Sequence, residues 1–318
     1  MKIAITGGSG FIGTNLIEKL ALDYDILNID IKKTHKNNLL QYWVNVDIND
    51  FEKLKQIIND FEPDYIIHLA ARTDLNGKCI KDYNVNVLGV ENLLRVANEL
   101  KTLNKIIITS SVLVCYGGYY PKNQFDYAPT TIYGESKVKT EEIVWNNKPQ
   151  CDWAIIRPTS IWGPCFGIPY KNFFDMVIAK KYFHIGNKGC NKTYGYIGNA
   201  IYQIEQILFT DTRDELNKVF FIGDNPPTNI EEWGNEIASE LGHKILKLPY
   251  SVIKTAAYFG DALKLIKVGF PMNSFRLHNM TPNNIVNLEN TYKIAPLLPY
   301  SRKEGIKITL KWIFDKKI

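Results

Sequence analysis

Apolar positions in the first half of the chain follow two alternating rhythms. Short, nearly continuous runs end near Thr6, Asp30, Ile48, Arg72 and Ser111, starting at Lys2, Tyr24, Tyr42, Tyr65 and Lys105. Between them apolar residues recur every three or four positions: Phe11, Ile12, Leu16, Ile17 and Leu20; Phe51, Leu54, Ile57 and Ile58; then Val85 through Leu100. Short runs bounded by turn residues read as buried strands, and the longer period reads as helices with one buried face. Strand and helix alternate with short connections. This predicts an α/β fold, a doubly wound parallel (Rossmann) sheet with helices on both faces. Ligands of such sheets lie outside the carboxyl ends of the strands. Gly7, Asp30, Asp47, Ala70 and Ser111 all end a run, so they fall on one rim.

The first run leads into Gly7-Gly8-Ser9-Gly10-Phe11-Ile12-Gly13 and then a helical pattern. In a strand–turn–helix, the first glycine permits the tight turn and the middle one lets backbone approach a pyrophosphate. The last lets helix pack closely on strand, and the helix N-terminus offers N–H groups to the anion. Asp30 follows Gly13 by seventeen residues. A carboxylate there accepts hydrogen bonds from an adenosine ribose and repels a 2′-phosphate, which favours NAD over NADP. Lys32 and Lys33 just downstream pull the other way. His68 has no partner at metal-ligand spacing and reads as a core histidine.

A second constellation, Tyr133-Gly134-Glu135-Ser136-Lys137, opens another helical pattern. Residues four apart share a helix face. A lysine charge beside a phenol, with a cationic nicotinamide near, is expected to lower the phenol pKa from about 10 and make Tyr133 a general acid/base.

Composition narrows the function classes. Of 318 residues, 45% are hydrophobic and 22% charged, enough for a sizeable core and a second, smaller unit. The net charge of +5 comes without a long basic run interleaved with aromatics, so no nucleic-acid partner is expected. Five irregularly spaced cysteines without CxxC argue against a disulfide framework or a zinc site; reduced thiols, a cytoplasmic location and no metal are expected. The N-terminal run does not read as a signal peptide, so none is expected, and no apolar stretch approaches the ~20 residues of a membrane span, so no membrane partner is expected.

Taken together, TGGSGFIG (6–13), Asp30, HLAAR (68–72), YNVNVLG (83–89), TSS (109–111), YGESK (133–137) and RPTSIWGP (157–164) resemble the extended short-chain dehydrogenase/reductase family. The branch is that of the sugar-nucleotide epimerases and dehydratases, UDP-glucose 4-epimerase-like. The resemblance implies a catalytic triad of Ser111, Tyr133 and Lys137. It implies NAD held by Gly7, Gly10, Phe11, Ile12, Gly13, Asp30, Ile31, Asp47, Ile48, Leu69, Ala70, Ala71, Arg72, Asn86, Thr109, Tyr133, Lys137, Pro158 and Thr159. It implies a nucleotide-sugar substrate met by Ser111, Cys115, Asn172, Lys192 and Arg276. The cofactor domain would span 1–162 plus about 196–225. A smaller, discontinuous C-terminal substrate lobe would span about 163–195 and 226–318. A homodimer would form through helices 84–101 and 132–147, and the pathway would be polysaccharide biosynthesis.

Four departures shape the expected activity. The family's dehydratases carry Asp-Glu directly after the catalytic hydroxyl; Val112-Leu113 stand here, which disfavours a 4,6-dehydratase. Cys115 replaces the usual tyrosine of the sugar-facing segment. Lys192 stands where a diphosphate-binding arginine is usual, a point charge in place of a fork. Arg276 is the other candidate diphosphate cation. The expected function is an NAD-dependent epimerase working through a transient 4-keto sugar. The alternative is a reductase or dehydrogenase of a 4-keto-6-deoxy nucleotide sugar.

Overall fold

The computed structural model describes residues 1–186, 189–211, 218–265, 273–274, 277 and 282–315. Six strands alternate with helices through the first half: β1 (Lys2–Thr6), β2 (Asp25–Ile29), β3 (Trp43–Val44), β4 (Tyr65–His68), β5 (Lys105–Thr109) and β6 (Asp152–Pro158). With the later strand Lys218–Ile222 they form one parallel sheet, ordered Lys218–Ile222, β6, β5, β4, β1, β2, β3. The winding reverses between β1 and β4, the switch point where such sheets bind ligands.

The isoleucine runs account for the layers. Successive strand residues point to opposite faces. Ile3, Ile5, Ile67 and Ile107 pack toward α1 (Phe11–Leu20) and the helix Ile197–Phe209. Ala4, Ile66, Ile106 and Ile108 pack toward α2 (Phe51–Phe61), α3 (Asn84–Glu99) and α4 (Ile132–Asn146). Each such buried side chain contributes roughly 1.5–3 kcal/mol relative to exposure. Lys105, buried at the start of β5, donates its Nζ to the carbonyls of Ile207 and Thr210 at the end of Ile197–Phe209. A cation is well placed at that negative helix end.

The third apolar run is shorter as a strand than its pattern predicts. Only Trp43 and Val44 pair, with Asn28 and Ile29. β2 ends there, so the residues after Val44 find no ladder. Asp47 instead closes a turn, its Oδ1 accepting from the Asn49 N–H at 2.9 Å. Val46 and Ile48 stay buried against the helical layer, which is why the run reads as apolar throughout.

After β6 the chain builds a lobe from short pieces. Ser160–Trp162 pairs with Tyr194–Tyr196, Phe183–Ile185 with Leu246–Leu248, and Asn191–Lys192 with Thr228–Asn229. Buried Trp233 organises it: Phe173 stacks on it at 4.6 Å, with Trp162 at 5.2 Å and Tyr194 at 5.4 Å between ring centroids. The chain returns to the main sheet at Lys218–Ile222, beside β6.

Candidate active site

The glycine turn lies at the switch point. Gly7 has φ +72°, and a Cβ on it would sit 2.5 Å from the Ala70 nitrogen; one on Gly13 would sit 2.5 Å from Gly8 Cα. Backbone cannot yield that much, so both glycines are demanded by the fold. Gly10 is different, since a Cβ there would meet only the Gly7 oxygen, at 3.2 Å. Its missing side chain keeps the outside of the turn open. Gly10 also caps α1 and offers no side chain to its N–H groups, which suits a pyrophosphate. Asn28, which the sequence pattern does not single out, supports the turn from β2 by donating Nδ2 to Ser9 Oγ at 3.2 Å.

Asp30 is fixed at the end of β2. Its Oδ2 accepts from the Ser9 N–H at 3.0 Å and its Oδ1 from the Lys32 N–H at 2.8 Å. Each oxygen keeps a further lone pair for a ribose hydroxyl. Ile31 and Asp47 are exposed, and Ile48 is buried. Beyond β4, the Leu69 N–H bonds the Thr6 carbonyl at 2.9 Å. Asn86 then clamps Arg72: Oδ1 accepts from its N–H at 2.8 Å, and Nδ2 donates to its carbonyl at 3.0 Å and to Ser136 Oγ at 2.9 Å. Asn86 is fully buried, so it acts on a cofactor through the Ala70–Arg72 turn that it holds. The Arg72 guanidinium is engaged by Asp74 and lies 5.1 Å from the Tyr83 ring. Thr159 is tied to the Ile222 carbonyl through its N–H and its hydroxyl.

Tyr133, Lys137 and Glu141 lie four apart along α4 and form one buried stripe. Thr131 starts the helix by accepting the Gly134 N–H at 3.0 Å. Ser111, whose Oγ accepts the Leu113 N–H at 3.1 Å, is near enough to the Tyr133 phenol to act on its pKa. The phenol is pushed up to about 12 by burial, although Ser111 pulls it down. The expected lowering is therefore not produced by the protein alone: loss of water dominates, and Ser111, not Lys137, is the group that opposes it. Lys137 donates Nζ to the Thr109 carbonyl at 2.8 Å; burial lowers its pKa to about 8 against the opposing charge of Glu141. His68 Nδ1 meets Thr6 Oγ1 at 2.7 Å, and burial, reinforced by the Lys137 charge, lowers its pKa to about 3. His68 Nε2 and Thr109 Oγ1, at the ends of β4 and β5, are buried with no hydrogen-bond partner among the described residues. Buried polar atoms are nearly always partnered. A polar cofactor on this rim fits that gap, as it fits the open glycine turn.

Beneath this stripe lies a network that sequence reasoning missed. Glu141 binds Arg157 twice, Nε to Oε1 at 2.8 Å and a terminal nitrogen to Oε2 at 2.7 Å, with both side chains essentially fully buried. Ser110 and Tyr127 donate to the same carboxylate. Ser110 adjoins Ser111, and Glu141 is one turn from Lys137, so the pair braces both sides of the Ser111–Tyr133–Lys137 group.

Ser111 and Cys115 flank the turn Val112–Val114, and the other substrate residues expected from sequence lie on separate elements or outside the described residues. Cys115 is buried and turns its Sγ to the Asp126 carbonyl at 3.4 Å, and burial raises its pKa. Asn172 is exposed on the helix Tyr170–Ile178. Lys192 lines a lobe cavity of about 150 Å³ with Phe173, Tyr182, His184, Ile185, Cys190 and Tyr194. Arg276 lies outside the described residues. Tyr170, not foreseen, lies between these residues: its hydroxyl bonds Ser160 Oγ at 2.8 Å, its ring is 6.0 Å from Tyr194, and its charge, when ionised, would raise the Tyr133 phenol.

A parallel sheet with an anion-binding glycine turn at its switch point and a Ser–Tyr–Lys group on the same rim defines a dinucleotide-dependent enzyme. The model of the NAD dependent epimerase/dehydratase family matches residues 3–199, and the chain belongs to that family; its cofactor is NAD. Over 323 aligned residues the chain is 28% identical to N-acetyl-alpha-D-glucosaminyl-diphospho-ditrans,octacis-undecaprenol 4-epimerase of Escherichia coli O157:H7, covering 98% of this chain and 95% of that protein. It is 26% identical to dTDP-D-glucose 4,6-dehydratase of Bos taurus, covering 98% and 88%. Its fold matches UDP-glucose 4-epimerase of Thermotoga maritima with a TM-score of 0.75 at 19% identity, over all of both chains.

Proposed function

We propose that the protein is an NAD-dependent 4-epimerase of a sugar held through a diphosphate, as in a nucleotide sugar, working through a transient 4-keto sugar. The observation that carries this reading is the buried Ser111–Tyr133–Lys137 group on the rim that the glycine turn shares. Tyr133 takes the proton of the sugar 4-hydroxyl and returns it. Ser111 hydrogen-bonds the same oxygen. Lys137 holds positive charge beneath the phenol and steadies its anion. NAD, when bound, supplies the hydride acceptor and donor. Loss of water around Tyr133 keeps the resting phenol protonated, the form that hands a proton to a carbonyl oxygen.

The Escherichia coli relative, matched along nearly the whole chain, is named for a 4-epimerase acting on a sugar diphosphate, which supports the same stereocentre and linkage here. A 4,6-dehydratase is disfavoured despite the bovine relative, because the turn after Ser111 carries Val112 and Leu113. With this reading go a cofactor domain of 1–162 plus about 196–225, a homodimer through α3 and α4, and a place in cytoplasmic polysaccharide biosynthesis.

The test is turnover of UDP-, GDP-, CDP- and dTDP-sugars, followed by NMR, with protein that retains its own NAD. Interconversion without added cofactor is expected. Tyr133→Phe is expected to lower kcat by about 10²–10⁴-fold while NAD stays bound. A stoichiometric demand for reduced cofactor would replace this reading with the one-way reductase.

A further inference from the structure

The buried part of β2 is apolar with one exception. Ile26, Leu27 and Ile29 fill the two layers, and Asn28 among them is fully buried too. Its backbone is pinned on both sides, opposite Ile5 of β1 and Trp43 of β3. A buried amide costs free energy that an apolar side chain in the same place does not. That cost is only partly offset here: Nδ2 donates to Ser9 Oγ at 3.2 Å, and Oδ1 has no partner among the described residues. Buried polar groups are rarely left so, and one that is calls for a reason other than stability.

Ser9 supplies the reason. Its hydroxyl is held by Asn28 while its N–H donates to Asp30 Oδ2 at 3.0 Å. Gly8 and Gly10 flank Ser9, and glycines leave the chain free to turn. Gly8 is closed onto the same amide, for a Cβ there would sit 2.3 Å from Asn28 Oδ1. The Asn28 bond is therefore what orients the Ser9 N–H. The backbone of Asp30 is fixed independently: its N–H bonds the Val44 carbonyl at 3.2 Å, and Trp43 Nε1 donates to its carbonyl at 2.9 Å. On the side chain, the Lys32 N–H holds Oδ1 at 2.8 Å, and the bond from Ser9 stops the carboxylate from pivoting about that link. Lys32 and Lys33, next along the chain, are exposed. A carboxylate free to pivot would pair with such cations, hold a ribose hydroxyl less well and repel a 2′-phosphate less.

We infer that Asn28 is a positioning residue for cofactor choice: through Ser9 it fixes the orientation of the Asp30 carboxylate and so makes the site select NAD over NADP. This role presupposes that Asp30 meets the adenosine ribose, and it is independent of the epimerase reading.

Binding of NAD and of NADP to the full-length chain tests this, read without turnover as the rise in melting temperature with cofactor concentration. The wild type is expected to bind NAD more tightly than NADP. Asn28→Leu, close in size and suited to a buried strand, is expected to weaken NAD ~tenfold and to leave NADP unchanged or tighter. Ser9→Ala removes the same bond from its other end and is expected to narrow the preference by a similar factor. It lies in the turn, outside the strand, so it reads that bond even where Asn28→Leu fails to fold. The double variant is expected to be no worse than either single one, because all three lose one and the same bond. Equal weakening of both cofactors by Asn28→Leu overturns the inference, since Asn28 would then only support the glycine turn. So does an unchanged preference in Asn28→Leu or Ser9→Ala, or losses that add in the double variant. Asp30→Asn is the control. A preference for NAD that survives Asp30→Asn removes the ribose assignment and the role of Asn28 with it. A preference lost in Asp30→Asn but kept in Asn28→Leu removes the role of Asn28 alone.

Discussion

Tyr133 and Lys137 are displaced by burial toward their neutral forms, the phenol up to about 12 and the ammonium down to about 8. A lysine four residues away is thus an incomplete account of how this tyrosine is activated. The same loss of water that raises the phenol makes any nearby positive charge count for more. The brace below them is exposed to test in a similar way. Glu141 and Arg157 are both removed from water, and a buried charge is tolerable only while paired. Arg157→Met alone strands the Glu141 charge and is expected to cost ~3–5 kcal/mol. Arg157→Met combined with Glu141→Leu is expected to recover much of that loss. Urea unfolding of the two single variants and the double variant gives the coupling. Additive losses would mean that the pair acts through packing alone.

At the level of elements, the glycine turn separates a demand of the fold from a demand of the ligand. Gly7→Ala meets Ala70 backbone at a positive φ and is expected to destabilise by roughly 2–4 kcal/mol, combining strain with overpacking. Gly10→Ala meets one oxygen at 3.2 Å and is expected to cost about 1 kcal/mol while abolishing NAD binding. Thermal melting and NAD titration on the two proteins distinguish these outcomes. A Gly10→Ala protein that keeps NAD would place the pyrophosphate elsewhere. The cofactor half was legible because each of its signals is local: a turn, a capped helix, an apolar run of strand length. β3 was overread because burial of Val46 and Ile48 mimics a strand once the partner strand has ended. Glu141 escaped notice because a charge on a helix ordinarily marks the solvent face; only Arg157, from β6, makes it interior. The lobe was least legible. Its strands are two or three residues long, and its core is a set of aromatic rings around Trp233 with no period to read.

For the molecule as a whole, Asp224 is where sheet, lobe and C-terminal helix are joined. It follows the strand Lys218–Ile222 and accepts from the Tyr196 N–H at 2.9 Å and from Asn199 Nδ2 at 3.1 Å. Asn199 in turn bonds the backbone of Tyr300, in both directions, ahead of the helix Arg302–Asp315. Arg302 is held by Glu236 at 2.6 Å and lends Asp224 some positive potential. Burial nevertheless dominates and lifts the Asp224 carboxyl from 3.8 to about 7. Over that interval the folded protein holds a proton that the unfolded chain has released. Stability from this group is therefore complete below about pH 4 and is lost as pH rises toward about 7. His68 acts with the opposite sign, since its pKa is lowered to about 3 and it disfavours folding as pH falls from 6.5 toward that value. The two trends overlap, so the wild-type profile alone is ambiguous. Asp224→Asn removes one of them and leaves the other. The stability of the wild type minus that of Asp224→Asn, from urea unfolding at a series of pH values, is expected to decline between about pH 4 and about pH 7 and to level off above. A difference that stays constant across this window would mean that Asp224 is already ionised when folded, held so by the Tyr196 and Asn199 donors and the charge of Arg302.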